Sequence, residues 1–153
     1  MDKKNALQKA ESYCAYQERS QQEVRDKLYS FELRSAEVEE LIAVLIENNF
    51  INEERFAQMY ILGKFRMKHW GRMKIRQGLK LKGVPAKMIE KVLSTVISED
   101  DYLDTLRGLL ERKNLQITEK NGLKRKQLLV RYAQGKGFET ELIFDILNSS
   151  ELE

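Results

Sequence analysis

The stretch VRDKL at residues 24–28 recurs 51 residues later in the chain as IRQGL at residues 75–79. The same shift places Val38 on Ile89, and a further shift of 54 residues places Ile89 on Ile143. In each comparison apolar positions fall on apolar positions, which is how an internal structural repeat shows itself in a sequence. Because a period near 50 residues has room for about three helices, these shifts predict three tandem three-helix units.

Local signals for helix ends divide each unit into three predicted helices. A capping box at residues 20–23 opens the second helix, and Ser35 is predicted to cap the third. Gly83 ends a helix of the second unit, and Pro85 lies in the first turn of the next one. The predicted helices cover residues 4–17, 21–31, 36–48, 53–68, 72–82, 85–98, 101–116, 121–134 and 139–148.

We therefore predict an all-α fold in which three three-helix repeats form a curved and elongated tandem array. Repeat 1 covers residues 1–50, repeat 2 covers residues 51–99, and repeat 3 covers residues 100–153. Repeat 2 is strongly basic, whereas repeat 3 has a basic first half and an acidic tail. The last helix of each repeat carries a one-sided apolar stripe that predicts the core. In repeat 1 this stripe consists of Val38, Leu41, Ile42, Leu45 and Ile46.

The net charge of +3 conceals two strongly basic segments. Residues 61–91 contain ten Lys or Arg and one acidic residue, and residues 112–136 contain eight and one. A single exposed lysine usually only keeps a helix face hydrated. A segment with so large an excess of cations favours a binding surface for an anionic partner instead. Such a surface would lose affinity for DNA steeply as salt is added. The candidate binding residues are Lys64, Arg66, Lys68, Arg72, Lys74, Arg76, Lys80, Lys82, Lys124, Arg125, Lys126, Arg131 and Lys136.

The second helix of repeat 2 places Arg72, Arg76 and Lys80 on one face at i, i+4, i+8 spacing. We expect both arginines to be exposed, so that replacing them together by Glu would weaken binding and leave folding nearly intact. Phe65 and Trp70 lie within the same basic block. Base stacking on these rings is the alternative to a place in the core or at a helix junction, and the core interpretation is favoured.

Several kinds of chemistry are not expected from this sequence. His69 is the only histidine and Cys14 the only cysteine, so we expect neither a metal site nor an internal disulfide. There is no Gly-rich phosphate loop and no catalytic constellation, so we expect a protein without enzymatic activity or cofactor. The lone cysteine and the absence of a long apolar run favour a cytoplasmic location and no membrane partner.

Three motifs, in order along the chain, resemble the RecX family of bacterial regulatory proteins. They are R-S-x-x-E-V-x-x-K-L at residues 19–28, FINEERFA at residues 50–57, and G-R-x-K-I-x-x-x-L-x-x-K-G-V at residues 71–84. The middle motif departs from the family pattern, which usually has an Asp near position 52 or 53, because the acidic residues here are Glu53 and Glu54. The third repeat is degenerate, although the length of the chain fits the family.

The resemblance implies tandem three-helix repeats and a role in modulating the RecA recombinase. RecX-like proteins bind in the deep groove of the RecA filament, bind single- and double-stranded DNA with little sequence preference, and damp ATPase and strand exchange. We expect the basic faces of repeats 2 and 3 to make these contacts in a monomeric protein. From the residues alone, a general DNA-binding helical module or a helix-turn-helix transcription regulator remains the alternative.

Overall fold

The structure, a computed structural model, describes residues 1–149. Over these residues the chain forms nine α-helices and no β-strand, which confirms the all-α prediction of three three-helix repeats. The helices are α1 (Lys3–Tyr16), α2 (Gln21–Tyr29), α3 (Ser35–Glu47), α4 (Glu53–Lys68), α5 (Arg72–Leu81), α6 (Ala86–Val96), α7 (Glu99–Gln116), α8 (Gly122–Gly135) and α9 (Thr140–Asn148). The end of the predicted acidic tail, residues 150–153, lies outside the described residues.

The ends of the helices follow from polar side chains that accept the first free backbone N–H groups. At α2 the predicted capping box is present, because Ser20 and Glu23 each accept a hydrogen bond from the backbone N–H of the other. The prediction that Ser35 caps α3 is wrong, because the N-cap is Arg34, whose N–H donates to Glu37. Helix α7 begins two residues earlier than predicted because the Ser98 hydroxyl accepts the N–H of Asp101.

The core of repeat 1 is built from the faces that the apolar spacing predicted. Four residues of the α3 stripe, from Val38 to Leu45, are buried, and they pack with Ala6 and Ala10 of α1 and Leu28 of α2. Ile46, the fifth residue of the predicted stripe, is instead 45% exposed. Small alanines on α1 let the three short helices approach closely, so a modest number of apolar residues encloses a dry core.

The chain divides into two compact units whose borders do not coincide with the repeats. One unit contains residues 1–60 and 78–92, and the other contains residues 61–77 together with the chain from residue 93 onward. Repeat 2 therefore contributes to both units, and each unit contains contacts between successive repeats. No helix within residues 1–149 combines the length and apolarity that are needed to cross a membrane.

In the first unit, the Lys-Gly turn after α5 packs against the beginning of α2. We call this contact of Lys82 and Gly83 with Gln22 and Glu23 the first seam. Lys82 Nζ lies 3.5 Å from Glu23 Oε2, and Gly83 has a φ of +82°. A Cβ built on Gly83 would lie 3.6 Å from the Gln22 Cβ, an ordinary van der Waals distance. The first seam is therefore a contact between side chains with space left in it.

In the second unit, the Lys-Gly turn after α8 packs against the beginning of α5. This second seam joins Lys136 and Gly137 to residues 71–74. The Gly71 N–H donates to the Lys136 carbonyl at 2.7 Å, and the Met73 N–H donates to the Gly137 carbonyl at 3.0 Å. A Cβ on Gly71 would collide with the Gly137 backbone. The second seam is therefore a backbone-to-backbone contact that requires a glycine on each side.

Candidate binding surface

The turn after α4 folds Trp70 back onto the last turn of that helix. His69 has a φ of +57°, and its N–H donates to the Phe65 carbonyl at 3.1 Å. The Trp70 N–H donates to the Lys64 carbonyl, also at 3.1 Å. This closure of the helix end places the half-buried Trp70 ring beside Lys64, whose Nζ lies 4.8 Å from the ring centroid.

A second lysine lies beside the same ring, and a third contacts the end of α4. Lys74, in the first turn of α5, has its Nζ 4.7 Å from the Trp70 ring centroid. Lys136 reaches across from the second seam, and its Nζ donates to the Lys68 carbonyl at 3.1 Å. We call Lys64, Lys68, Trp70, Lys74 and Lys136 the Trp70 surface. The ammonium groups of Lys64 and Lys74 lie beside the indole, and Lys68 and Lys136 add positive charge next to the end of α4.

The sequence predicts Trp70 in the core or at a helix junction, and the structure shows a half-buried ring with lysines beside it. The signal that could have found this arrangement is the spacing of Lys64, Trp70 and Lys74. One lysine precedes the tryptophan by a turn and a half, and the other lies in the first turn of the next helix. In contrast Phe65, the other candidate ring, is buried and stacks against Tyr102 at a centroid distance of 5.9 Å.

Arg72 does not have the exposed position that helical spacing predicts for it. Its side chain is only 18% exposed and forms ion pairs with Glu99 at 2.6 Å and Glu139 at 2.9 Å. The guanidinium also lies 3.8 Å from the centroid of the Tyr102 ring. Burial acts to lower the pKa of Arg72, but the hydrogen bonds to Glu139 and Glu99 outweigh it and the pKa is raised. The cation is thus neutralised within its own chain.

Tyr102 is the centre of this interior network. Its ring is fully buried between Phe65 and Phe138, and its hydroxyl donates to Glu139 while accepting the Arg72 N–H at 2.9 Å. Burial, assisted by the hydrogen bond to Glu139, raises the pKa of Tyr102 well above its usual range. Arg72, Tyr102 and Glu139 are therefore hydrogen-bonded to one another, as polar groups at buried sites generally are.

Arg125 is likewise occupied by the fold. Its guanidinium donates to the backbone carbonyls of Asn114 at 2.8 Å, Ile117 at 2.9 Å and Glu119 at 2.6 Å. These carbonyls belong to the end of α7 and the loop that follows, where the helix has no further N–H groups to offer them. Arg125 thus holds the α7–α8 connection in place.

The remaining candidate residues differ in their surroundings. Lys126 donates to the Asn148 side chain at 2.6 Å and lies 5.5 Å from the Phe144 ring centroid, and Lys82 pairs with Glu23. Arg76 is half-buried. The exposed members of the set are Arg66, Lys68, Lys80, Lys124 and Arg131.

On α8, Lys124 and Arg131 border one shallow groove. Glu119, Gln127 and Leu128 complete its lining, and its volume is about 320 Å³. The second unit presents predicted binding residues to solvent at this groove, at the Trp70 surface and at Arg66. Lys80 and Lys82 belong to the first unit.

Two features of the described residues concern metal binding and thiol chemistry. Residues 1–149 contain no group of three or more His, Cys, Asp or Glu side chains arranged to hold a metal ion. Cys14 is buried, and burial raises the pKa of its thiol, which disfavours the thiolate that a nucleophile needs.

Comparisons with known proteins identify the repeats individually. Three family models match in order: RecX, first three-helix domain, at residues 6–45; RecX, second three-helix domain, at residues 52–93; and RecX, third three-helix domain, at residues 99–147. The first and second matched ranges lie within predicted repeats 1 and 2, and the third begins one residue before predicted repeat 3.

Similar curated proteins carry the name regulatory protein RecX. The chain is 31% identical over 143 residues to that of Lactococcus lactis subsp. lactis, with 92% of this chain and 53% of the relative aligned. It is 34% identical over 133 residues to that of Clostridium perfringens, with 86% and 59% aligned. The chain thus spans little more than half the length of these relatives.

Two solved structures share the fold. The crystal structure of RecX from Lactobacillus salivarius aligns with a TM-score of 0.89 at 22% identity, covering 97% of this chain and 96% of that one. A crystal structure of regulatory protein RecX aligns with a TM-score of 0.82 at 21% identity, covering 95% and 73%. At such low sequence identity, these alignments show a shared backbone fold and no more.

Proposed function

The chain belongs to the RecX family, and from that premise we propose that it is a noncatalytic modulator of a RecA recombinase. In this proposal it binds the recombinase filament and DNA through basic faces of repeats 2 and 3, and it damps ATPase and strand exchange. The family membership rests on the three domain matches in order along the chain. The activity and the partners are those that the sequence resemblance implies.

The observation that carries the proposal is the composition of the Trp70 surface. Among residues 1–149, no carboxylate lies within ion-pair distance of Lys68, Lys74 or Lys136. No carboxylate of the described residues therefore neutralises their positive charge, in contrast to that of Arg72. Three lysines without a carboxylate partner, one of them beside an aromatic ring, suit a phosphate backbone or another acidic surface.

Neither Arg72 nor Arg125 supports the proposal, although both were candidates from the sequence. Each is held by acceptors of its own chain, so contact with an anionic partner would first have to break those bonds. Lys124 and Arg131, on the exposed face of α8, are the residues through which repeat 3 would take part. Replacing their side chains should weaken binding without disturbing the fold, because within the described residues neither side chain forms a hydrogen bond or ion pair, and the cap of α8 uses only the backbone N–H of Lys124.

A DNA-binding measurement tests the role of the Trp70 surface. We expect the double variant Lys68→Gln/Lys74→Gln to bind labelled single- and double-stranded DNA more weakly than the unaltered chain. The salt dependence of log K should become shallower by about 1.4 for single strands, roughly 0.7 for each phosphate that is no longer neutralised. Lys4→Gln/Lys87→Gln has the same net charge and alters exposed lysines elsewhere, so it serves as the control. Equal binding by both variants would count against this surface.

The effect on the recombinase is tested with RecA, single-stranded DNA and ATP. We expect the unaltered chain to lower the rate of ATP hydrolysis and of strand exchange, and the Lys68→Gln/Lys74→Gln variant to do so less. Unchanged rates with the unaltered chain at saturating concentration would overturn the proposal. Protection of one defined DNA sequence in a footprint would instead favour the sequence-specific regulator.

A further inference from the structure

Repeat 1 contains a second group of cations and aromatic rings, outside the basic segments of the sequence. Arg19 lies with its guanidinium carbon 3.7 Å from the centroid of the Tyr13 ring and 5.9 Å from that of Tyr16. Lys27 Nζ lies 5.3 Å from the Tyr13 centroid and 5.8 Å from the Phe31 centroid. With Lys9, whose Nζ is 6.0 Å from Phe31, these six residues form what we call the Tyr16 patch.

The cations of this patch are not neutralised by the acidic residues around them. Repeat 1 is rich in acidic residues, and other cations there do find carboxylates: Lys3 pairs with Glu40 at 3.1 Å and Arg25 with Glu39 at 2.7 Å. Within the described part of the chain, Lys9, Arg19 and Lys27 have no such partner. Three cations are therefore unpaired in a region where carboxylates are plentiful.

The geometry of the patch is held by the backbone. The Arg19 Nε donates to the Tyr13 carbonyl at 3.0 Å, which fixes the guanidinium over the ring at the end of α1. Tyr16, the last residue of α1, is 82% exposed. An aromatic ring left in water beside a fixed guanidinium offers a flat apolar face with a positive charge next to it. A ligand that is itself flat, apolar and negatively charged would use all three properties.

We propose that the Tyr16 patch binds single-stranded nucleic acid, with one base stacked on Tyr16 and the flanking phosphates near Arg19, Lys27 and Lys9. The proposal rests on the proposed function in that it assumes a nucleic-acid partner, and it adds a contact in repeat 1. Single strands are specified because a base within a duplex keeps its faces stacked on its neighbours and cannot offer one to the ring. An acidic peptide would engage the cations but would leave the Tyr16 face unused.

The test compares Tyr16→Ala with Tyr29→Ala, which removes another partly exposed tyrosine of the same repeat. Each full chain is titrated against a fluorescently labelled oligothymidine and against an abasic phosphodiester of the same length. We expect Tyr16→Ala to lower the affinity for oligothymidine by about five- to a hundredfold, the loss of one stacked base. Its affinity for the abasic strand should stay unchanged, as should both affinities of Tyr29→Ala.

A second variant tests the phosphate contacts. We expect Lys9→Gln/Lys27→Gln to weaken binding of both strands and to make the salt dependence shallower by about 1.4, in contrast to the Lys4→Gln/Lys87→Gln control. Unaltered binding by both patch variants, with the Lys68→Gln/Lys74→Gln variant impaired, would overturn this inference and leave the proposed function standing. No binding by the unaltered chain would overturn both. If the patch variants lose binding to the recombinase but keep their affinity for nucleic acid, the patch would be assigned to a protein partner. That result would also overturn the inference.

Discussion

The two seams use the same position of the repeat but make opposite kinds of contact. In both, a Lys-Gly turn that follows the second helix of one repeat packs against the beginning of the second helix of the preceding repeat. In the first seam the contact consists of an ion pair between Lys82 and Glu23 and a side-chain contact with space around Gly83. In the second seam the two backbones are hydrogen-bonded to each other around Gly71 and Gly137.

The reason for the difference lies in how the two second helices are capped. Helix α2 is capped by its own Ser20, whose side chain occupies the start of the helix. At the equivalent position α5 has Gly71, which has no side chain to offer. The first N–H groups of α5 are instead accepted by repeat 3, that of Arg72 by the Tyr102 hydroxyl and that of Met73 by the Gly137 carbonyl. Helix α2 is thus capped from within repeat 1, whereas the cap of α5 in repeat 2 is supplied by repeat 3.

The largest loss of stability should come from replacing the glycine of a Lys-Gly turn with alanine, and the loss should differ between the two seams. In Gly137→Ala the new Cβ would lie 2.7 Å from the Lys74 backbone nitrogen, at a φ of +98°. We expect this collision and the left-handed backbone together to lower the free energy of unfolding by about 3 kcal/mol. Gly83→Ala also places an alanine in left-handed backbone, but its Cβ meets no collision. We therefore expect it to lower the free energy of unfolding by only about 1 kcal/mol. Urea unfolding of both variants measures the difference, and equal losses would refute the contrast between the seams.

The next effect should come from the charged pairs of the two seams. Arg72→Gln leaves Glu139 without its cation beside the buried Tyr102, so we expect a loss of about 2–3 kcal/mol, below the range for fully buried pairs. Lys82→Gln removes the ion pair with Glu23 from a more exposed site, and a loss below about 1 kcal/mol is expected. Thermal or urea unfolding of the two variants would measure both losses. An Arg72→Gln variant as stable as Lys82→Gln would mean that the interior network contributes nothing.

The two modes of capping can be separated by removing one hydroxyl from each. Ser20→Ala removes the cap of α2, and Tyr102→Phe removes the acceptor for the Arg72 N–H together with the donor to Glu139. We expect losses of about 1 kcal/mol and 1–2 kcal/mol respectively. Amide hydrogen exchange should accelerate at the start of α2 in the first variant and at the start of α5 in the second. Faster exchange at α2 in Tyr102→Phe would contradict cross-repeat capping.

The smallest effect is a dependence on alkaline pH that belongs to the second seam. Burial raises the pKa of Tyr102, so the folded chain retains a proton that the unfolded chain releases above about pH 10. The stability from this group is complete below that pH and is lost as pH rises toward the folded-state pKa. The slope is at most about 1.4 kcal/mol per pH unit. Unfolding measured from pH 9 to 11 should show a shallower decline in Tyr102→Phe, and identical slopes would contradict the assignment.

Much of the helical layout could be predicted from the sequence because helix signals are local. The bounds of α4 agree with the prediction, and the Ser20 capping box is present as expected. The errors are also local in origin: Glu37 selects Arg34 rather than Ser35 as the cap of α3, and Ser98 starts α7 earlier than predicted. Such errors move a helix end by one or two residues and leave the repeat intact.

The candidate binding residues could be predicted only as a set. The charge pattern assigns Lys64, Lys68 and Lys74 to one basic segment, but it treats Arg72 as their equivalent. Helical spacing shows which face of a helix a side chain shares with others, but not what lies opposite that face. The carboxylates opposite Arg72 come from residues 27 and 67 positions further along the chain, so no local pattern could reveal them.

The sequence alone therefore determined the helices, the threefold repeat and the surplus of positive charge, because each is a property of neighbouring residues or of a fixed period. Only the tertiary structure decided which cations are neutralised inside the protein and which have no carboxylate partner within the described residues. It also decided that one seam is loose and the other closed by two glycines. Both outcomes depend on contacts between residues far apart in the chain, where the identity of a side chain matters less than what it meets.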